Sequence, residues 1–349
     1  MKEKIFIAPL LAIFLFSCTK EYITNEYITN EYENVYTNQY YLTNDMEEVT
    51  NDIRPDYLKK GDTVAVFAPA SALSANQQKQ VKSNIEVLKS WGLAVIEADN
   101  LYKEDKNGFS GEQTERIAAL QKLVDNPNIK ALIASRGGYG TNQVAPYIDW
   151  SKMQQHPKWF VGYSDITFLH AMLNNSGFET IHGAMAANFS DEKSVESLRK
   201  ALFGELTSYE NETNKNSVEG TATGRLVGGN LSLLYSLGGT LYDLNVKNAI
   251  LLIEDVGEKT YHIERMMYNL KQSGKLDCVK GIIVGEFTNM TQGNDKSIEE
   301  IMEEQLHGLD IPIVYGFSAG HDDENLSLYL GRRLTIEVGS KTTKLTFSK

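Results

Sequence analysis

The 349-residue sequence predicts an α/β fold built on a largely parallel sheet, and three observations carry that reading. From Gly61 onward, short apolar segments alternate with amphipathic segments of helical length, the mark of successive βαβ units. Hydrophobic residues make up 42% of the chain, enough for a sizeable core, and the length exceeds one average domain, so two domains are expected. The stretch Lys158-Trp159-Phe160-Val161-Gly162-Tyr163-Ser164-Asp165-Ile166-Thr167 reads as a buried strand turning abruptly into a helix, with Ser164 at the corner.

The chain opens with Lys2 and Lys4, an apolar run from Ile5 to Phe16, and then Leu15-Phe16-Ser17-Cys18. That run is too short to span a bilayer as a permanent helix. A small residue directly before a cysteine is what a bacterial lipoprotein signal peptidase requires once the thiol is diacylglycerated. Leu15 to Cys18 resembles a lipobox, so residues 1–18 are expected to be a lipoprotein signal peptide with Cys18 lipidated. The mature protein would then be an exported lipoprotein, membrane-anchored on the periplasmic side or at the cell surface. Cys278 would be the remaining thiol, which leaves no intramolecular disulfide.

Residues 19–56 repeat Glu21-Tyr22-Ile23-Thr24-Asn25 as Glu26-Tyr27-Ile28-Thr29-Asn30 and then decay. Lacking heptad spacing and aliphatic residues for a core, they read as a low-complexity tether outside the fold. They also carry much of the net charge of −12, and no basic patch interleaved with aromatics occurs elsewhere, which argues against nucleic acid as a partner.

Residues 57–206 form the first predicted domain: strand 63–68, a helix near 76–91, strand 93–97, a helix near 111–124, strand 130–135, the Ser164 corner and a helix from Thr167 to Leu173. Ligand sites in parallel sheets lie beyond the carboxyl ends of the strands. Pro69-Ala70-Ser71, Arg136-Gly137-Gly138-Tyr139-Gly140 and Ser164 all fall there. The polar segment 207–220 reads as an interdomain linker. Residues 221–349 form the second domain, with Gly224-Arg225-Leu226-Val227-Gly228-Gly229-Asn230 before a helix, strand 249–253 and the charged turn Glu254-Asp255-Val256-Gly257-Glu258. A helix over 263–271, strands 279–284 and 313–315, a Ser318-Ala319-Gly320-His321 turn and two short final strands follow.

A serine on a tight strand-to-helix turn projects its hydroxyl beside the first amides of the helix, the geometry of a nucleophile elbow. Ile166 stands where such elbows usually carry a second glycine, and taken alone Ser164 or Asp165 reads equally as a helix cap. The Arg136 to Gly140 loop lacks the third glycine of a dinucleotide fingerprint and the Lys-Ser/Thr of a P-loop. Its glycines serve either a tight turn or the approach of backbone amides to a developing oxyanion. Nucleophilic serine needs a base, and the base a carboxylate. Among six histidines His321 stands at a strand end, and Glu254 closes an apolar strand, with a turn or capping role as its alternative. No His-Glu-x-x-His or cysteine pair supports a metal site.

Gly61-Asp62-Thr63-Val64-Ala65-Val66-Phe67-Ala68-Pro69-Ala70-Ser71, Arg136-Gly137-Gly138-Tyr139-Gly140, Gly162-Tyr163-Ser164-Asp165, Gly228-Gly229-Asn230-Leu231, Glu254-Asp255-Val256-Gly257-Glu258 and Gly320-His321 occur in that order. In this the sequence resembles, from about Tyr57 to its end, the LD-carboxypeptidase (muramoyltetrapeptide carboxypeptidase) family of serine peptidases, which includes the microcin C immunity hydrolases. The resemblance implies a flavodoxin-like parallel-sheet N-terminal domain and a C-terminal swivelling β/α domain. It implies Ser164 as nucleophile, His321 as general base and acid, Glu254 as its orienter, and the amides of Asp165 and Gly138 as the oxyanion hole. Arg136, Gly137 and Tyr139 are expected at the substrate, with no cofactor, no metal, and a homodimer as the assembly. The implied reaction cleaves the L,D-amide that holds the terminal D-alanine of cell-wall (murein) tetrapeptides. The alternatives are an immunity-type hydrolase of peptide-nucleotide toxins and a non-catalytic muropeptide-binding lipoprotein. Departures from the family pattern lie at Thr141-Asn142-Gln143-Val144, at Ala184 and at Tyr329, on the substrate side of the expected triad.

Overall fold

The computed structural model describes residues 47–293 and 295–349, so the expected signal peptide, Cys18 and the tether up to residue 46 lie outside the described residues. Successive βαβ units build the first sheet. β1 (Thr63–Phe67) leads through α1 (Ala75–Ser90) to β2 (Ala94–Glu97), and α2 (Gln113–Asp125) carries the chain to β3 (Ile129–Ala134). β4 (Trp159–Gly162), α3 (Thr167–Asn175), β5 (Thr180–His182) and α4 (Glu192–Leu202) follow. β2, β1, β3, β4 and β5 lie side by side and parallel. The inner strands β1, β3 and β4 are buried nearly throughout and form near-continuous apolar runs such as the wholly buried Trp159 to Gly162, whereas edge strand β2 is partly exposed. The helices begin where the side chains dictate: Ser74 and Gln77 form a reciprocal capping box at α1, whose Val81, Ile85 and Leu88 are buried.

β6 (Ser208–Glu212), β7 (Gly220–Asn230), α5 (Leu231–Leu237), β8 (Ile250–Val256), α6 (Thr260–Gln272), α7 (Lys275–Cys278) and β9 (Gly281–Thr288) open the second half. α8 (Ile298–Leu306), β10 (Ile313–Tyr315), β11 (Leu328–Leu330), β12 (Arg333–Val338) and β13 (Thr342–Phe347) close it. The second sheet has seven strands in the order β10-β9-β8-β7-β12-β13-β6. Its β7 to β10 part is parallel and its β12, β13 and β6 part antiparallel.

Four expectations are corrected here. Segment 207–220 is no free linker, because β6 pairs antiparallel with β13 and Val218 bridges to Ile313. An edge strand pairs on one side only and tolerates the polar residues that made it read as a loop. β8 runs on to Val256, so Glu254 and Asp255 lie within the strand, beside an irregularity in its pairing with β9 between Ile253 and Asp255. The chain also re-crosses: β11 joins the first sheet, antiparallel to β5, although it follows β10 of the second.

The fourth correction concerns the tether, whose last ten residues pack against the body. Ile53 bridges to Phe178, Arg54 pairs with Glu179 at 3.0 Å, and Glu48 meets both Arg333 and Asn248. Glu179 is buried and held also by Arg332, whose guanidinium stacks 3.6 Å from the Tyr329 ring. Deleting residues 47–56 is therefore expected to lower the melting temperature by roughly 4–8 °C, from about 2 kcal/mol lost at 2–4 °C per kcal/mol. An unchanged melting temperature in differential scanning calorimetry would show that this segment decorates the surface without supporting it.

Candidate active site

The corner after β4 is tighter than its sequence implies. Ser164 sits at φ +61°, a conformation that costs an L-residue about 1–2 kcal/mol outside a supporting structure. Support comes from His170 on α3, whose Nε2 lies 2.9 Å from the Gly162 carbonyl, and from the Ile166 amide, which donates to the Tyr163 carbonyl. The missing second glycine has a physical explanation. Ile166 lies directly over the bare Cα of Gly162, where a Cβ would come within 2.7 Å of the isoleucine side chain, so Gly162 alone makes the room. Neither Ser164 nor Asp165 caps α3 with its side chain: the helix begins after a 3₁₀ turn over Ser164–Ile166, and no side-chain cap bond is made.

Asp165 turns its buried carboxylate the other way and accepts the Thr141 amide at 2.8 Å, tying the glycine-rich loop after β3 to the corner. Burial pushes its carboxyl above the usual carboxylate range, against the opposing hydrogen bonds from Thr141 and the charge of Arg116. Arg116 is itself buried and donates to the carbonyls of Pro69 and Gly140 and to Gln143 Oε1, so the ends of β1 and β3 share one clamp. In the loop so held, a Cβ on Gly137 would lie 3.1 Å from Ser164 Oγ and 3.2 Å from the Asp165 amide nitrogen. Glycine keeps that space open beside the hydroxyl. Gly138 takes φ +102°, and the Tyr139 amide donates to Ser71 Oγ at 3.2 Å. Arg136 spends its guanidinium on the Ala72 carbonyl and Gln77, while the Tyr139 ring stands exposed against Phe109.

The second sheet contributes Glu254, fully buried in β8, whose Oε2 lies 2.8 Å from His321 Nδ1. A carboxylate in that place accepts from Nδ1–H and leaves Nε2 as the basic nitrogen. Burial raises the Glu254 carboxyl, while the hydrogen bond and charge of His321 act to lower it. The loop bearing His321 approaches closely because Gly320, at φ +142°, has no Cβ to meet the Glu254 carboxylate, and Asn325 Oδ1 accepts the Gly320 amide. From the first sheet the Tyr163 ring packs on His321, centroids 4.8 Å apart. His321 thus touches Glu254 of one sheet and the chain neighbour of Ser164 on the other. Together these groups amount to a serine beside backbone amides and a histidine oriented by a buried carboxylate.

Residues that sequence reading missed lie between the sheets. The Asn230 amide donates to Thr167 Oγ1 on α3, its side chain donates to Asp255, and Asp255 accepts from Ser232. The Gly228-Gly229-Asn230 run was the available signal: Asn230 caps α5, and a Cβ on Gly229 would lie 2.6 Å from Thr167 Oγ1.

Two fully buried histidines stand behind the corner, and burial pushes His170 down to about 4 and His182 down to about 3. Both stay neutral in the fold, whereas in the unfolded chain they protonate below about pH 6.5. Their contribution is therefore present above about pH 6.5 and is lost as pH falls toward the folded values. Buried Asp165 and Glu254 shift upward and act in the opposite direction. The expected result is a comparison: between pH 6.5 and 4, melting temperature falls less steeply in His182→Gln than in the parent. Parallel slopes would show that His182 is not buried neutral.

Comparison with known proteins matches residues 64–183 to the LD-carboxypeptidase N-terminal domain and residues 223–336 to the LD-carboxypeptidase C-terminal domain. The chain is 35% identical over 300 residues to a probable murein peptide carboxypeptidase of Bacillus subtilis, covering 83% of this chain and 93% of that one. Its fold is similar to that of a muramoyltetrapeptide carboxypeptidase from Oxalobacter formigenes, with TM-score 0.72, 26% identity and coverage of 82% and 99%. It is similar also to the microcin C7 self-immunity protein MccF solved with glutamyl sulfamoyl guanosine, with TM-score 0.75, 26% identity and coverage of 84% and 98%.

Proposed function

This chain belongs to the LD-carboxypeptidase family of serine-type peptidases, and from that premise we propose that it hydrolyses the L,D-amide releasing the terminal D-alanine of murein tetrapeptides. The observation that carries the proposal is the buried Glu254–His321 pair lying against the Tyr163-Ser164 corner. In the proposed mechanism Ser164 Oγ attacks the scissile carbonyl while His321 Nε2 takes its proton, and Glu254 stabilises the imidazolium through Nδ1–H. The tetrahedral oxyanion lies toward the amides of Asp165 and Gly138. Collapse breaks the C–N bond, His321 returns the proton to the amine of D-alanine, and water then hydrolyses the acyl-serine by the same proton route. Arg136 acts on substrate through the loop it braces, and Gly137 through the space it leaves; exposed Tyr139 is the member of the set free to touch the peptide.

The test is to incubate the purified mature protein with defined tetrapeptide and pentapeptide muropeptides and weigh the products. Loss of one alanine from the tetrapeptide is the expected result. An untouched tetrapeptide, with cleavage of an aminoacyl sulfamoyl nucleoside, would replace this reading by a toxin hydrolase, which the likeness to MccF supports.

The run Leu15 to Cys18 supports a second part of the proposal, that the enzyme is exported and works from a membrane anchor near its substrate. Cys18→Ala protein that still sediments with membranes would refute the anchor. A homodimer is the assembly proposed, to be checked by sedimentation equilibrium.

A further inference from the structure

The nucleophile and its base are held by different sheets: Ser164 follows β4 of the first, and Glu254 lies in β8 of the second with His321 hydrogen-bonded to it. A single hydrogen bond at Nδ1 fixes one edge of the imidazole and leaves the ring able to pivot about it. The second contact comes from the first sheet. Tyr163 packs against His321 at an interplanar angle of 68°, the edge-on arrangement that ring quadrupoles favour. Tyr163 immediately precedes Ser164 in extended backbone, so this ring and the serine hydroxyl ride on one corner. Tyr163 also packs on His182, ring centroids 5.8 Å apart, and His182 is locked between β4 and β11 by its pairing with Gly162 and Leu328. Fully buried and held in β5, His182 is a fixed neighbour that limits where the tyrosine ring can turn.

We propose that Tyr163, braced by His182, is a positioning residue that sets the His321 imidazole against Ser164 and so registers the half-site of one sheet on that of the other. The proposal rests on the assignment of Ser164, Glu254 and His321 as the catalytic set. It gives the tyrosine ring, and not its hydroxyl, the active part.

The experiment compares Tyr163→Phe, Tyr163→Leu and Ser164→Ala in the full chain, with kcat and KM on the tetrapeptide and the rate at which a fluorophosphonate probe labels Ser164. Phe keeps the ring and is expected within about threefold of the parent in both constants. Leu removes it, and a misplacement on the order of 1 Å lowers kcat and the labelling rate by about 100-fold while KM stays within about threefold. A merely structural role would instead move melting temperature and KM together. Should Tyr163→Leu melt below the assay temperature, Tyr163→Met serves with the same expected split. The proposal is overturned if the ring-less variant keeps kcat within threefold, if its loss lies in KM alone, or if Tyr163→Phe falls as far as Tyr163→Leu. Ser164→Ala separates the two readings: an active Ser164→Ala removes the catalytic assignment itself, whereas an inactive one beside an active ring-less variant removes only this proposal.

Discussion

Ser164→Ala is expected to abolish D-alanine release, lowering turnover by about 10⁴–10⁶-fold, with His321→Ala close behind. The reason is that an acyl-transfer set acts as a unit: without Oγ no acyl-enzyme forms, and without His321 nothing accepts its proton. The fold should be indifferent to the loss. Ser164 caps no helix and makes no side-chain bond that supports α3, so the 0.5–2 kcal/mol penalty of a lost cap does not apply. Ser164→Gly sharpens the point, because glycine accepts φ +61° without strain; that variant should be inactive and more stable by about 1 kcal/mol. Steady-state kinetics and thermal melts read both quantities. Retained turnover in Ser164→Ala would sink the serine mechanism, and a marked drop in melting temperature would restore a structural role to the hydroxyl.

Glu254→Gln carries the second-largest expected effect, a fall in kcat of about 10³–10⁴-fold. Glutamine preserves the shape of the side chain in β8 and removes the charge that stabilises the imidazolium when His321 takes the serine proton. It also offers an amide that can hold the ring in the wrong tautomer. Stability should survive, because burial already disfavours the ionised carboxylate, and a neutral amide escapes that desolvation. A turn or capping role for Glu254 would give the opposite pattern, a lower melting temperature with turnover spared. Turnover within tenfold of the parent would remove Glu254 from the set.

The pairing of the two sheets gives these effects a common origin. Thr167 on the helix that follows Ser164 accepts the Asn230 amide, and Asn230 lies beside Glu254 in the β7–β8 register, so the Ser164 corner and Glu254 are joined through one buried contact. Substitutions at Asn230 or Thr167 are expected to act on the alignment of the halves, and those at Ser164, Glu254 and His321, in the proposed mechanism, on the chemistry.

What the sequence determined by itself was local in origin. Apolar runs at strand length, capping residues and glycines marked the βαβ units, and the ends of β1, β3 and β4 placed Ser71, Arg136 to Gly140 and Ser164 in one crevice, because parallel strands present their carboxyl ends to one side. Ser164, Glu254 and His321 stood out as candidates because each follows an apolar run, but the pattern alone left capping and turn roles open, and their expected roles came from the family resemblance. Tertiary structure decided whatever depends on partners distant in the chain. Edge strand β6 and the packed residues 47–56 are polar in composition, and only pairing with β13, Glu179 and Arg333 orders them. The return of β11 to the first sheet turns on packing of Tyr329 against Trp159 and Arg332, which no local pattern encodes. The side-chain contacts of Asp165, Arg116 and His182 were equally hidden. A buried polar side chain acquires its function from the backbone amides, carbonyls and rings that folding brings to it, and those lie in other segments of the chain.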